Sequence, residues 1–276
     1  MFGGTALFSK LIPLSALDIT FLRCVVAALV LALLIKFRGK YLSLASKQDY
    51  LVAIGLGVIV SLHWVTYFAA MQLSSVAIGM IAFFTYPVMT VIAEPLLTGN
   101  KIKLMDIISG IFVLIGVVLL IPEANLGNDT TLGIAIGILS AMLFTARNLL
   151  QKRYFSQYSG PHAMFYQTLV AAVFLMPWHQ TELQTISLET WGLIVLLGVV
   201  FTAAPHALFT SALRQLSAKT VGLVSCLQPF YGAMLALLIL GEALNVNTLI
   251  GGTIIVATAI FETHQSHQSQ RRKKNV

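Results

Sequence analysis

Ten stretches of this chain are long and apolar enough to cross a lipid bilayer, and that single feature decides what the chain can fold into. They cover roughly 2–17, 19–37, 50–71, 77–98, 104–122, 131–151, 162–178, 190–212, 220–240 and 247–262. A helix needs about 20 mostly apolar residues to span the hydrocarbon. Inside lipid every backbone N–H and C=O must find its partner within the chain, which leaves helices as the answer for runs of this length. Of the 276 residues, 58% are hydrophobic and 10% charged, against about 25% charged in an ordinary soluble domain. So few charges cannot cover the surface of a soluble fold of this size. The fold class expected is therefore an all-α integral membrane protein with ten transmembrane helices and no soluble domain.

The net charge of +7 would suit nucleic acid if it were gathered on one soluble face, but it is distributed by topology. Lys36, Arg38, Lys40 and Lys47 follow the second stretch, and Lys101 and Lys103 the fourth. Lys152 and Arg153 follow the sixth, Arg214 and Lys219 the eighth, and the tail carries Arg271, Arg272, Lys273 and Lys274. Apart from Lys10, Arg23 and Arg147, which fall within stretches, these are all the basic residues. The remaining connections hold acids such as Glu123, Asp129, Glu182, Glu189 and Glu242. Basic loops stay in the cytoplasm, so the expectation is a multi-pass protein of the inner (plasma) membrane with both termini cytoplasmic. Its partner is the lipid bilayer, with no nucleic acid. The opening segment lacks a basic start and contains Lys10, so no cleavable signal peptide is expected. Cys24 and Cys226 fall inside stretches and read as small packing residues.

The chain also repeats itself. Residues 72–79 read QLSSVAIG and residues 215–222 read QLSAKTVG, identical at four of eight positions. His63 corresponds to His206 and Gly79 to Gly222 at a spacing of 143 residues; Pro87 then pairs with Pro229, Gly99 with Gly241 and Gly110 with Gly252 at 142. Phe2 and Lys10 match Phe144 and Lys152 at that same spacing. This divides the chain into 1–122, 131–262 and a basic tail, 263–276, expected to be disordered and cytoplasmic. Five is odd, so two five-helix halves must lie inverted in the membrane. The inversion accounts for Lys219: its counterpart Val76 falls in an outer connection, where a basic residue is disfavoured. Inverted halves characterise many secondary carriers, with substrate held near the midplane between them. Phe2 aligns with Phe144, so the first helix lacks a counterpart of Leu132–Leu143. Two expectations fit this: a segment missing before Met1, which we favour, or a short first helix tilted into a thinned bilayer.

The runs QLSSVAIGMIAFFTYPVMTVIAEPLLTG and QLSAKTVGLVSCLQPFYGAMLALLILGEAL, with FGGTALFSK and Arg23, resemble the EamA-type repeat of the drug/metabolite transporter superfamily. The resemblance covers nearly the whole chain. It implies ten helices as two inverted repeats, a central cavity lined mainly by helices 1, 3, 4, 6, 8 and 9, and export of amino acids, metabolites or drugs. Three departures stand out: Gly99-Asn100 where the second half has Gly241-Glu242, Glu94-Pro95 at ordinarily apolar places, and the short first helix.

Charges within a bilayer are expensive and mark candidate sites. Phe83, Pro87, Thr90 and Glu94 follow a 4-3-4 spacing on one helical face, and a carboxylate in a cavity there would suit proton antiport. The alternative is a structural pair of Glu94 with Arg147, so both residues are coupling candidates. His63 and His206 are symmetry mates, substrate-facing or structural. Two histidines without Cys or acid at ligand spacing give no metal site, and no cofactor is expected. Trp64, Tyr67, Phe83, Tyr86, Phe230 and Tyr231 can wall a pocket for a small-molecule substrate, with Asn148 and Gln228 as polar handles. Pro87 and Pro229 each remove a backbone donor and permit kinks. Lys10, Arg23 and Lys152 are expected to snorkel, with Asp18 and Arg23 pairing near the outer surface. The leading function is a secondary active transporter of small organic solutes, exporting by alternating access, with proton coupling open. The rivals are an intramembrane enzyme, for which there is no HExxH or GxSxG, and a non-transporting assembly protein.

Overall fold

The computed structural model describes residues 2–99, 102, 104–120, 128–215, 228–242 and 245–274. Among these residues the regular structure is entirely helical. Two short helices, α1 (Phe2–Thr5) and α2 (Phe8–Leu11), precede α3 (Ala16–Phe37) and α4 (Lys47–Leu73). Then come α5 (Val76–Phe83), α6 (Tyr86–Thr98), α7 (Leu104–Leu120), α8 (Asp129–Tyr154) and α9 (Gly160–Leu175). The remainder is α10 (Leu188–Gly198), a π-helical turn (Val199–Ala203), α11 (Ala204–Gln215), α12 (Gln228–Leu235), a second π turn (Ala236–Leu240) and α13 (Val246–Lys274).

Small polar residues start these helices by satisfying the backbone donors that a first turn leaves free. Ser15, Ser46, Ser75 and Ser187 accept from the N–H of Asp18, Asp49, Ile78 and Thr190, and Asn128 accepts from that of Thr130. The helices run alternately between two ends of the molecule. At one, Asp18 meets His179 and Thr181, and Glu242 meets Val76. We call it the acidic end. At the other, the basic end, His162 and Tyr166 reach the Leu42 carbonyl and Lys152 meets Glu94.

The interior is built where α4 packs on α8 and α9, and α3 on α9. Phe68, Met71, Met80 and Phe84 are fully buried in one cluster; Cys24, Leu31, Trp64 and Met164 form a second. Leu29, Leu33, Leu114, Val118, Val173, Leu208 and Leu238 are all more than half exposed. An apolar outer surface of that extent has no place in water and suits lipid. Five helical segments among the described residues are long and apolar enough to cross a membrane, with shorter apolar helices beside them.

Two expectations need correcting. Residues 2–17 do not form one spanning helix. They form α1, α2 and a bend through Ile12–Ser15, with the Lys10 ammonium bonded to the carbonyls of Gln72 and Ser74. Pro13 cannot supply a helical N–H and Ser15 starts a new helix, so the run is cut before it can span. The stretch 77–98 is matched by one apolar segment, Val76–Pro95, and it kinks at the expected place, since Pro87 can donate no bond to Phe83 and separates α5 from α6. The tail does not leave the last helix at 262: α13 continues to Lys274. No Gly or Pro follows Gly252, and Gln, Lys and Arg are good helix formers.

The paired glycines behave alike. Gly99 ends α6 with φ 71° and Gly241 ends the second π turn with φ 69°. This left-handed conformation is open to glycine at no steric cost, and it occurs at the two positions matched by the repeat. Lys219, Cys226 and most of the second octapeptide lie outside the described residues.

Candidate functional site

A cavity of about 470 Å³, counted out to its mouth, lies within the bundle. His63, Trp64 and Tyr67 reach it from α4, Phe83 from the end of α5 and Tyr86 from the start of α6. The break at Pro87 puts the last two side by side: their rings stack at 5.1 Å. Phe144 of α8 packs against these rings, and His206 and Phe209 of α11 and Gln228 of α12 also line the cavity. Thr5 and Arg23 complete the wall. The cavity is therefore lined from both sides of residues 122–131, through the helices that the resemblance implies plus α3.

The walls are largely aromatic and mutually packed. Phe144 lies 4.9 Å from Tyr86 and 5.0 Å from His63, and Tyr67 meets Phe83 edge-on at 5.2 Å. Ring pairs in these geometries hold one another in place, so the cavity is preformed. The π turn at Val199–Ala203 shapes the opposite side. Such turns free backbone carbonyls and recur at functional sites; here the Phe201 carbonyl accepts from Thr5 Oγ1 at 3.4 Å.

His63 is held by Ser140. Its Nδ1 lies 2.8 Å from Ser140 Oγ and 3.1 Å from the Ser140 carbonyl, while the Ser140 hydroxyl donates to the His63 carbonyl at 3.0 Å. With that hydroxyl hydrogen engaged, Nδ1 faces two acceptors. A neutral His63 therefore carries its hydrogen on Nδ1 and keeps Nε2 as an acceptor. His206 packs against Trp64, ring centres 5.0 Å apart. Both repeat-related histidines thus line the one cavity.

Arg23 does not snorkel. It is 1% exposed, with its guanidinium carbon 4.2 Å from the Trp64 ring centre and 4.7 Å from that of Phe68. Its Nε and Nη2 have no hydrogen-bond partner among the described residues. The pairing with Asp18 does not form, because residues five apart on a helix point about 140° away from each other. Asp18 instead accepts from His179, Thr181, Ser15 and the Gln180 N–H.

Other candidates lie apart from the cavity. Arg147 is equally buried but fully engaged, donating to Gln167 Oε1 at 2.8 Å, Asn148 Oδ1 at 2.9 Å and Met164 sulfur at 3.0 Å. Asn148 is thus a partner of Arg147 and not a cavity handle. Glu94 accepts from Lys152 at 2.9 Å in a partly exposed ion pair, so the Glu94–Arg147 pair is replaced by Glu94–Lys152. Glu94 and Thr90 do share a face, turned to Lys152 and Thr145 of α8. Tyr231 is 55% exposed and does not line the cavity. Pro229 lies in the first turn of α12, but its side chain and that of Phe230 fall outside the described residues. Sequence reasoning passed over Arg23, Thr5, Phe144 and Phe209. Only Arg23 carried a signal, being a charge inside a span and away from the basic connections.

A bundle of long apolar helices with an apolar outer surface and a wholly buried cation beside an internal aromatic cavity defines a polytopic membrane protein. The EamA-like transporter family matches residues 1–121 and 131–262, and the chain belongs to it as an EamA-type member of the drug/metabolite transporter superfamily. It is 25% identical over 265 residues to the uncharacterized transporter YxxF of Bacillus subtilis (strain 168), covering 93% of this chain and 84% of that protein. It is 24% identical over 274 residues to an uncharacterized transporter of Clostridium kluyveri, covering 95% and 87%. One of Archaeoglobus fulgidus is 27% identical over 209 residues, covering 75% and 74%. A solved crystal structure superposes with a TM-score of 0.69 over 97% of this chain and 96% of the other, at 18% identity, which speaks to the fold alone.

Proposed function

We propose that the chain is a secondary carrier for small organic solutes, working by alternating access between two inverted five-helix halves. The observation that carries this is the cavity itself, lined by His63, Tyr67, Phe83 and Tyr86 from the first half of the chain and by Phe144, His206, Phe209 and Gln228 from the second. A site shared between two halves opens to alternate ends when the halves rock. In this reading the basic end lies in the cytoplasm, with both termini there, and export is the direction that the family resemblance implies. Glu94 is not the coupling group in this reading, because its carboxylate meets Lys152 at the basic end and does not line the cavity.

The nearest rival observation is the Ser140–His63 contact, which has the spacing of a nucleophile and its base. It favours structure over catalysis. The Ser140 hydroxyl donates to a backbone carbonyl, is 0% exposed and does not line the cavity. The test is flux into liposomes holding the purified full chain, with lumen and bath at different pH. The panel comprises amino acids, nucleosides, carboxylates and cationic drugs, read by mass spectrometry against empty liposomes. Accumulation of one class supports the carrier, and its dependence on the pH gradient reports proton coupling. A folded protein that moves no member, with or without the gradient, overturns the reading.

A further inference from the structure

We propose that the cavity binds a small organic monoanion, its carboxylate bonded to Arg23 and its apolar body lodged among the aromatic rings. This names the substrate class of the carrier proposed above and rests on that reading. Two arginines are buried within the bundle, and their surroundings differ in one respect. Arg147 has an acceptor at each of its three nitrogens. Arg23 has rings on its face and two nitrogens without a partner, and it alone of the two lines the cavity. A guanidinium presents its donors in a fixed planar fork that matches the two oxygens of a carboxylate. Trp64 and Phe68 hold the guanidinium carbon 4.2 and 4.7 Å from their ring centres, and the side chain borders the cavity, so a shift of that side chain brings its buried donors to a ligand there. Buried donors are ordinarily satisfied, and a carboxylate arriving in the cavity would satisfy these.

The same geometry argues against cations and weakens the case for zwitterions. Among the described residues no Asp or Glu lines the cavity, so an ammonium group finds no carboxylate. The Trp64 face that could hold a cation already has Arg23 at 4.2 Å, and a second positive charge would be repelled by it. Gln228 and Thr5 are neutral and can meet a hydroxyl or carbonyl elsewhere on the ligand. The rings favour a flat apolar body. An aryl-substituted short-chain carboxylate is the simplest molecule with these properties.

Four probes of nearly one shape isolate the charge: 3-phenylpropionate, its amide, 3-phenylpropylamine and L-phenylalanine. Binding to the purified full chain would be measured by displacement of radiolabelled 3-phenylpropionate, and flux of the same four in proteoliposomes. The carboxylate is expected to bind about 10- to 100-fold more tightly than the amide, as hydrogen bonds to a charged partner are worth in a buried site. The amine is expected to bind worst, and phenylalanine more weakly than phenylpropionate. Arg23→Gln removes the preference, and Arg23→Lys keeps part of it. Equal binding of carboxylate and amide to the unaltered chain overturns the proposal, whether or not the variants fold. So does a preference for the amine or the zwitterion, or the lack of saturable carboxylate binding at millimolar concentration. Carboxylate binding without flux of any probe refutes the carrier and leaves the anion site standing. Flux indifferent to the carboxylate does the reverse.

Discussion

Replacing each buried arginine by methionine, similar in length and apolar, is expected to change stability in opposite directions. In Arg147→Met three hydrogen bonds go, and Gln167 Oε1 and Asn148 Oδ1 lose their donor. Each buried acceptor left without a partner costs about 1–3 kcal/mol, so a loss of about 3 kcal/mol is expected. In Arg23→Met no hydrogen bond from Nε or Nη2 is lost, because neither atom has one. Removing two orphaned donors relieves about 2–6 kcal/mol, against about 1–4 kcal/mol for the cation–π contacts to Trp64 and Phe68. The net effect is neutral to about 2 kcal/mol stabilising, in keeping with the gains seen when buried charges give way to apolar side chains. Denaturant unfolding of the purified protein in detergent, followed by helical circular dichroism, would measure both. The reasoning fails if Arg23→Met destabilises as much as Arg147→Met, since Arg23 would then be a structural cation like its counterpart.

Two further predictions concern the ends of the bundle. The Glu242 carboxylate accepts from the Val76 N–H at 2.9 Å, tying the chain after Gly241 to the start of α5 at the acidic end. Glu242→Gln is expected to weaken this tie by about 1 kcal/mol and to raise the reactivity of a single cysteine placed at Phe209 toward reagents applied at the acidic end; unchanged reactivity would refute the tie. The Glu94–Lys152 pair is partly exposed and worth at most about 1 kcal/mol. Glu94→Gln is therefore expected to leave both unfolding and the pH-gradient dependence of flux nearly unchanged, and loss of gradient-driven flux would restore Glu94 as the coupling group.

Much of this fold was legible in the sequence because apolar length is a local signal: the stretches 19–37, 50–71 and 131–151 each coincide with a long helix, α3, α4 and α8. The cluster His63, Trp64 and Tyr67 was legible because spacings of one and four residues keep side chains on one helical flank, and because His63 recurs as His206. Arg23 was misread since its distance from the helix end was weighed and its rotation about the axis was not. Five residues from Asp18, it turns inward to Trp64 while Asp18 turns to His179. Phe144 and Phe209 were invisible as cavity residues, since one phenylalanine among many apolar neighbours carries no mark of which faces a void. The π turn at Val199–Ala203 had a signal that was passed over: Pro205 has no N–H to bond the Phe201 carbonyl, so the regular helical ladder cannot run through this point.

The central claim is that one cavity faces the two sides of the membrane in turn. The most direct test places a single cysteine at Phe209, with Cys24 and Cys226 replaced by alanine, in oriented proteoliposomes. Its rate of reaction with a membrane-impermeant thiol reagent is then measured from each side. The account predicts labelling from both sides, with 3-phenylpropionate changing the two rates in opposite directions. Labelling from one side alone, unaltered by any transported solute, would contradict it.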